Sequence, residues 1–467
     1  MTSWEPGNYY GLSADFDPDW FLTEEQKQLR EELIEVCRTI LRPNAIETDK
    51  NNTYPRENIE ALAKLRLLAA VAPKEYGCRG ENHVGLLMIS ETIARYGCPS
   101  TALIYMMHSV AVAALAYRAK GNKEIESLLR RIDPECLIGS ASYTDPETGG
   151  HFWYPKMSGA ERVEDGWHVH KKAAWTTSSG YADWYVSQTT SPDFDGDYGN
   201  LSVFLFYKDE VKGSAGKWDA MGMHANQSGP VEIDTTIPLD RIVGWPGDGA
   251  MSNDEIVDPL AMIYFAGAYN GVGLASIDLA KRHVTRKAHA QYGRRVADYP
   301  TIQDTFGRVI MDGQSSRLYA YALAQALDAA TDNNNWDIYY KDPKATPRSS
   351  KFTTWCFEAK FLATRFAFEA PDKMLQACGG RGYMRDLELE RILRDAKAGW
   401  IMGPSNEITA QLVGKWGLFG NEAIDWWNQK VDEPVLMNEL GKLDEEGKQR
   451  IIDKLTSELA PKKEAAE

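Results

Sequence analysis

The sequence has no CxxC pair, no histidine at metal-finger spacing and no surplus of basic residues. Its six cysteines, Cys37, Cys78, Cys98, Cys136, Cys356 and Cys378, are scattered, which argues against a disulfide framework or a zinc finger and fits reduced, packed thiols in an intracellular chain. A formal net charge of −15 rules out nucleic-acid or anionic-membrane binding through overall charge, so no nucleic-acid partner is expected. The N-terminus, MTSWEPGNYYGLSADFD, has neither a basic region nor an apolar run. No secretory signal is expected, and the chain is placed in the cytoplasm, or in an organelle matrix if eukaryotic. The longest apolar stretch, 101–116, is interrupted by His108 and Ser109; it predicts a helix buried on most sides rather than a membrane span. The acidic stretch SPDFDGDYGN (191–200) lacks the spaced ligands and terminal Glu of an EF-hand loop and reads as a solvated hairpin loop, so no metal is expected. There is no internal repeat.

What is present is enough chain for a large core. The sequence runs to 467 residues, 43% hydrophobic and 25% charged, ordinary values for a globular protein of two or three domains. Residues 1–22 read as an irregular, aromatic arm. Thr23-Glu-Glu-Gln26 is a capping box that opens a helix. Helical periods follow near 56–70, 83–96 and 100–119, which makes 23–136 a helical domain. The pattern then changes. Asp165-Gly166 is a hairpin signal, and strand-like runs at 184–188, 201–207 and 231–237 make 137–250 a β domain, barrel-like in the fold expected below. Long helical periods return at 261–292, 303–330 and 349–377, a C-terminal four-helix-bundle domain over 251–420. An extension, 421–467, carries one amphipathic stretch, EEGKQRIIDKLTSELA. The fold class is therefore α+β and multidomain: helices, then strands, then a helical bundle.

One stretch stands out within the bundle. Residues 376–408, QACGGRGYMRDLELERILRDAKAGWIMGPSNEI, join a glycine turn (Gly379, Gly380, Gly382) to a helix with Leu389, Ile392, Leu393 and Ala396 on one face. A second turn at Gly403-Pro404 leads to a Ser-Asn-Glu helix start. Glycines so spaced suit a backbone that turns with positive φ or lies against a ligand. The alternative is two loops flanking a surface helix.

The string GGRGYMR…RDAK…GPSNEI resembles the C-terminal signature of the acyl-CoA dehydrogenase family, flavoproteins with the same order of helical, β and helical domains. Two further stretches carry the resemblance. SASYTDPETGG (140–150) is similar to the family's YxxTEPGxGSD segment, and KKAAWTTSSGYADW (171–184) to its KxWITNG strand. The resemblance covers roughly 20–420. It implies FAD as cofactor, an acyl-CoA as substrate, an electron-transferring flavoprotein among the acceptors, and a homotetramer or homodimer. It places Tyr143 and Thr144 at a strand end, and Trp175 and Thr177 on the next strand, against the flavin. It gives the pyrophosphate to Arg286 or Lys287, with His289 as the alternative alignment, and adds Gln303. From a neighbouring subunit it adds Gln376, Gly379 and Gly380. Ser405 and Glu407 stand where the family has Thr and Gln beside the FAD ribose and diphosphate. On the substrate side Gly150, followed by His151, Phe152 and Trp153, replaces a small polar run, and Gly403 faces the substrate.

The resemblance also exposes a vacancy. The family's base, a Glu, falls on Gly403, and its alternative location falls on Ala261. Both are without a carboxylate, and α-proton abstraction requires one opposite the flavin. Glu407 is a weak candidate for a relocated base, followed by Asp145, Tyr264 and His108; for His108 a satisfied core histidine is the alternative. Three functions remain open: α,β-dehydrogenation of an unusual acyl-CoA with a displaced base; the same fold with altered chemistry, such as desulfinase- or decarboxylase-type elimination or flavin hydroxylation; and a non-catalytic subunit of a hetero-oligomeric acyl-CoA dehydrogenase.

Overall fold

The computed structural model describes residues 17, 19–149, 155–194, 196, 199–341, 347–420, 437, 438 and 440–459. Residues 1–410 form one compact unit and 411–467 another.

Six helices open the chain. Helix α1 (Glu24–Val36) starts at the capping box: Gln26 N donates to Thr23 Oγ1 (3.2 Å) and Thr23 N donates to Gln26 Oε1 (3.1 Å). Helices α2 (Arg42–Asn51), α3 (Arg56–Lys64), α4 (His83–Thr92), α5 (Pro99–Ala116) and α6 (Lys123–Glu135) follow. The helix predicted over 56–70 ends at Lys64, because Arg66 adopts φ 56° and the next amides, Leu68 and Ala69, donate to the Asp133 carboxylate at 2.9 and 3.2 Å. Helix α5 is long and apolar enough to cross a bilayer, as is the segment Gly249–Arg286, but 94% of each apolar window is buried in the fold. They are core helices, as expected for 101–116. All six cysteines are free thiols, and all but Cys136 are buried.

The strands are β1 (Gly139–Ser142), β2 (Ser158–Val163), β3 (Gly166–Ala173), β4 (Trp184–Thr190), β5 (Leu201–Tyr207), β6 (Val211–Lys212) and β7 (Val231–Pro238). They form two open sheets, β1-β4-β5 and β2-β3-β7-β6, rather than a closed barrel. Pairing is antiparallel except for β1 with β4. The hairpin signal at Asp165-Gly166 marks the β2–β3 turn, one residue off. Val163 pairs with Gly166, so Glu164 and Asp165 make the turn and Gly166 begins β3. A Cβ there would stand 2.2 Å from Ile237 O on β7, which is why a glycine occupies that place.

The remaining elements are α7 (Gly249–Ser252), α8 (Asp258–Arg286), β8 (Ala288–His289), β9 (Arg294–Arg295), α9 (Pro300–Ala330), α10 (Asp337–Lys341), α11 (Thr353–Ala377), α12 (Leu389–Ile401), α13 (Asn406–Phe419) and α14 (Glu445–Leu459). The period predicted over 261–292 breaks at Arg286. The chain there turns into the β8–β9 hairpin, with Gly293 at φ 61°. Buried ion pairs tie α4 and the π-helical turn that follows it (Ile93–Gly97) to the bundle: Arg317 on α9 with Glu91 (2.7 Å), and Arg95 with Asp278 on α8 (2.9 Å). The desolvation cost of such pairs offsets much of their attraction, but breaking one strands a buried charge.

Candidate functional site

The β-domain wall comes first. Tyr143 and Thr144 follow directly on β1, as expected. Trp175 and Thr177 do not lie on a strand but in the loop after β3. The β3–β7 ladder ends at Ala173 opposite Val231, Thr176 N then donates to Gly229 O (2.8 Å), and Ser178 turns the chain at φ 62°. The loop still brings the expected pair together. Thr144 Oγ1 donates to Trp175 O (3.0 Å) and accepts from Trp175 N (3.3 Å). Trp175 is 55% exposed and stands edge-on to Trp218, centroids 5.6 Å apart. Thr177 is buried, its hydroxyl 2.9 Å from that of Ser228. The wall thus offers an open indole face beside a half-buried hydroxyl.

The loop between α12 and α13 forms a second wall. Gly403 sits half-buried in it. Beneath the loop lies Lys360 of α11, fully buried, with Nζ donating to Pro404 O (2.8 Å), Asn406 Oδ1 (2.8 Å) and Met402 O (3.4 Å). Burial pushes its ammonium down to about 7, an effect partly offset by Glu407. Nζ also stands 5.6 Å over the ring of Phe265 on α8, four residues past Ala261. Loop and helix, the two places where the family resemblance expects a carboxylate, are therefore linked through one lysine. Asp258, in the first turn of α8 and three residues before Ala261, is buried. Its charge adds to the burial that raises the Tyr143 phenol and the Cys356 thiol. Sequence reasoning missed both Lys360 and Asp258. The signal for Lys360 was a cation placed, with Arg365, in the otherwise largely apolar run EAKFLATRFAF; Asp258 carried none beyond an Asp-Pro helix start.

Of the other candidate bases, the Tyr264 phenol is fully buried and pushed up by that burial, and the remaining three are committed elsewhere. Glu407 is exposed and accepts from Trp400 Nε1 at 2.7 Å, a bond that holds its carboxyl below the usual range. Ser405 Oγ accepts from Ile408 N (3.4 Å) at the head of α13. Asp145, fully buried, accepts from the amides of Glu147 (2.9 Å) and Met157 (2.6 Å). His108 accepts from Gly139 N at Nδ1 (2.8 Å), so its Nε2–H faces Leu68 O (2.9 Å), and burial pushes its pKa down to about 4. It is a neutral core histidine.

The remaining predicted residues gather at the far end of the bundle. Arg286 and Lys287 end α8, exposed and with no ion-pair partner among the described residues, whereas nearby Arg295 is paired with Asp298 (2.8 Å). His289 Nδ1 lies 3.0 Å from Tyr299 Oη, Gln303 donates to Ala297 O (3.1 Å), and Gln376 donates to Asp372 (3.0 Å). Gly379, at φ 60°, and Gly380 are exposed. A hydrophobic cluster including Val284, Val309, Met374 and Cys378 joins these three helix ends. Between Ala261 and Arg286, α8 runs about 38 Å at roughly 1.5 Å per residue. One chain therefore does not bring Ala261 and these cations into a single site. Gly150, with His151, Phe152 and Trp153, lies outside the described residues.

Comparison with known proteins adds to this geometry. Residues 23–128 match the family described as acyl-CoA dehydrogenase, N-terminal domain, and residues 266–418 match acyl-CoA dehydrogenase, C-terminal domain. Cyclohex-1-ene-1-carbonyl-CoA dehydrogenase of Geobacter metallireducens is 26% identical over 85% of this chain and 99% of its own. Glutaryl-CoA dehydrogenase of Desulfococcus multivorans is 24% identical over 85% and 97%. Among solved structures, a glutaryl-coenzyme A dehydrogenase in complex with glutaryl-CoA shares the fold with a TM-score of 0.76, 21% identity, and coverage of 88% of this chain and 98% of its own. Dibenzothiophene monooxygenase from Paenibacillus sp. A11-2 shares it with a TM-score of 0.71, 18% identity, and coverage of 85% and 98%.

Proposed function

The chain belongs to the acyl-CoA dehydrogenase family, and from that premise we propose that it binds FAD and oxidises an acyl-CoA thioester with a displaced base. The observation that carries the reading is the Thr144–Trp175 pair, an open indole face and a hydroxyl directly after β1. A flavin needs such a flat wall and a polar contact at its edge. The unpaired cations Arg286 and Lys287, with the exposed Gly379-Gly380 backbone, suit a diphosphate and so favour FAD over a mononucleotide. Because these lie about 38 Å along α8 from Ala261, a second copy of the chain supplies them in a homodimer or homotetramer. The electron acceptor in this reading is an electron-transferring flavoprotein.

A bound flavin supplies the hydride acceptor. The chain itself must take the α-proton, and neither Gly403 nor Ala261 can. Glu407 is tied to Trp400 and held ionised outside the buried region. Asp258 is buried three residues from Ala261 on the same side of α8, and in this reading it takes the proton. Lys360 fixes the backbone of the loop opposite.

A second reading rests on the same vacancy: the acyl-CoA is oriented on the ring and loses a leaving group, or is hydroxylated, with no α-proton removed. Anaerobic mixing of the flavin-loaded protein with a panel of acyl-CoAs separates the two. Bleaching of the flavin with an enoyl-CoA product, lost in Asp258→Asn, is expected. Product formed while the flavin stays oxidised sinks the dehydrogenation. A protein that binds flavin but answers to no thioester is a non-catalytic subunit.

A further inference from the structure

Ten non-glycine residues adopt positive φ among the described residues, and four of them, Asn52 (53°), Ser178 (62°), Met223 (53°) and Gln227 (49°), converge on the loop that carries Trp175 and Thr177. A residue with a Cβ is disfavoured in that conformation and stays there only where its surroundings hold it. The bonds that do so form a chain. Ser178 N donates to Asn226 O (2.9 Å) and Ser179 N to Gln227 O (3.1 Å). Gln227 Nε2 donates in turn to Asn52 O and Asn52 Oδ1, both at 3.1 Å. Asn52 Nδ2 donates to Trp218 O, and Trp218 Nε1 donates to Met223 O (3.1 Å). Trp218 is the ring that stands edge-on to Trp175.

The four residues between α2 and α3 reach this chain from the helical domain. Tyr54, two residues past Asn52, has its Oη 3.0 Å from Ser178 Oγ. Its ring stacks on Tyr181 at 4.6 Å, with the planes 5° apart. Tyr181 N and Ala182 N both donate to Ser178 O at 2.9 Å, so the stacked rings and the turn form one unit. Ser178 is buried, and the contact with Tyr54 is the only hydrogen bond its side chain makes among the described residues. Ser178 follows Thr177 directly, so a change in its φ displaces the Thr177 hydroxyl and the indole three residues back. The Tyr54 ring would stack as well without its hydroxyl; what the hydroxyl adds is the bond to Ser178.

We propose that Tyr54 is a positioning residue for the flavin wall: its hydroxyl holds Ser178 in the left-handed conformation that presents Thr177 and Trp175 to the cofactor. The proposal rests on the flavin reading of that wall given above. Without the bond Ser178 relaxes toward ordinary negative φ, the loop spends less time in the competent form, and cofactor affinity falls by that fraction.

Fluorescence titration of the flavin-stripped full chain with FAD tests it. Tyr54→Phe keeps the ring stack and removes the bond, and FAD is expected to bind about tenfold more weakly, the worth of roughly one good buried hydrogen bond. Ser178→Ala removes the same bond and should match it, and the two together should be no weaker than either alone. Ser178→Gly in the Tyr54→Phe background should bring binding back to within about twofold of the parent, because glycine takes positive φ without support. A general loss of packing would not be repaired by that change, and circular dichroism melts confirm that each variant folds. FAD binding unchanged in Tyr54→Phe overturns the proposal, as does a loss that Ser178→Gly fails to repair. Either result leaves the flavin reading standing. A parent chain that binds no FAD overturns both.

Discussion

Lys360 donates to Asn406 Oδ1 at 2.8 Å, and Thr364, one turn along the same helix, donates to that oxygen at 2.9 Å. Two side chains of α11 thus hold the residue that starts α13, and with it the short loop that carries Gly403. Among the described residues no carboxylate bonds the buried amine. The loop is fixed by hydrogen bonds to carbonyl oxygens.

Replacing Lys360 by Met leaves those acceptors without their donor, and a loss on the order of 1–3 kcal/mol is expected in urea melts. The sign of the pH dependence follows from the buried amine. Its pKa in the folded chain is about 7 against an ordinary 10.5, so between these values the unfolded chain holds a proton that the folded one has released. Stability from this group therefore rises with pH across the window, and the cost of burial is fully felt below it. The parent should gain on Lys360→Met between pH 7 and 9. A difference that stays flat would show the amine is not buried as described.

His108 makes the opposite end of the pH range informative. It titrates near 4 when folded and near 6.5 when free. Acidification through that interval protonates the unfolded chain first, which removes on the order of 3 kcal/mol by the lower end. Urea melts at pH 6.5, 5.5 and 4.5 should show this acid limb in the parent and a shallower one in His108→Gln.

Glu407→Gln keeps an acceptor for Trp400 and removes a negative charge from the position assigned to the FAD side. Flavin retention, read as the ratio of flavin to protein after gel filtration, should increase severalfold. Turnover of the flavin-saturated variant should be unchanged, because the parent carboxyl is exposed and engaged by Trp400. Loss of turnover in saturated protein would instead make Glu407 the base.

Asp258→Asn should abolish flavin bleaching by substrate. Adding Gly403→Glu to that variant should restore it in part, by placing a carboxylate on the half-buried loop that Lys360 holds. Stopped-flow absorbance at the flavin band is the measurement. Unchanged bleaching in Asp258→Asn alone would remove Asp258 from the chemistry.

The local pattern of the sequence was a good guide where a local rule sufficed. The capping box at Thr23 starts α1, and the strand runs became β4, β5 and β7. It was a poor guide where a distant group decided the outcome. The predicted second helix stops because Asp133, far along the chain, takes its next amides. Trp175 leaves its strand because Thr144 and Gly229 capture the backbone on either side. For the site, glycines, a tryptophan and a threonine could be matched to a pattern. Lys360 and Asp258 could not, because what marks them is burial, and burial is a property of the packed chain.

The length of α8 has a genetic consequence. If the wall at Trp175 and the cations at Arg286 and Lys287 serve one cofactor from different copies, damage at either end is recessive in a particular way. A chain lacking the first and a chain lacking the second are each inert alone. Co-expressed, they can assemble a pairing in which one interface inherits both intact halves. Two dead alleles would then complement each other, whereas two alleles damaged at the same end would not.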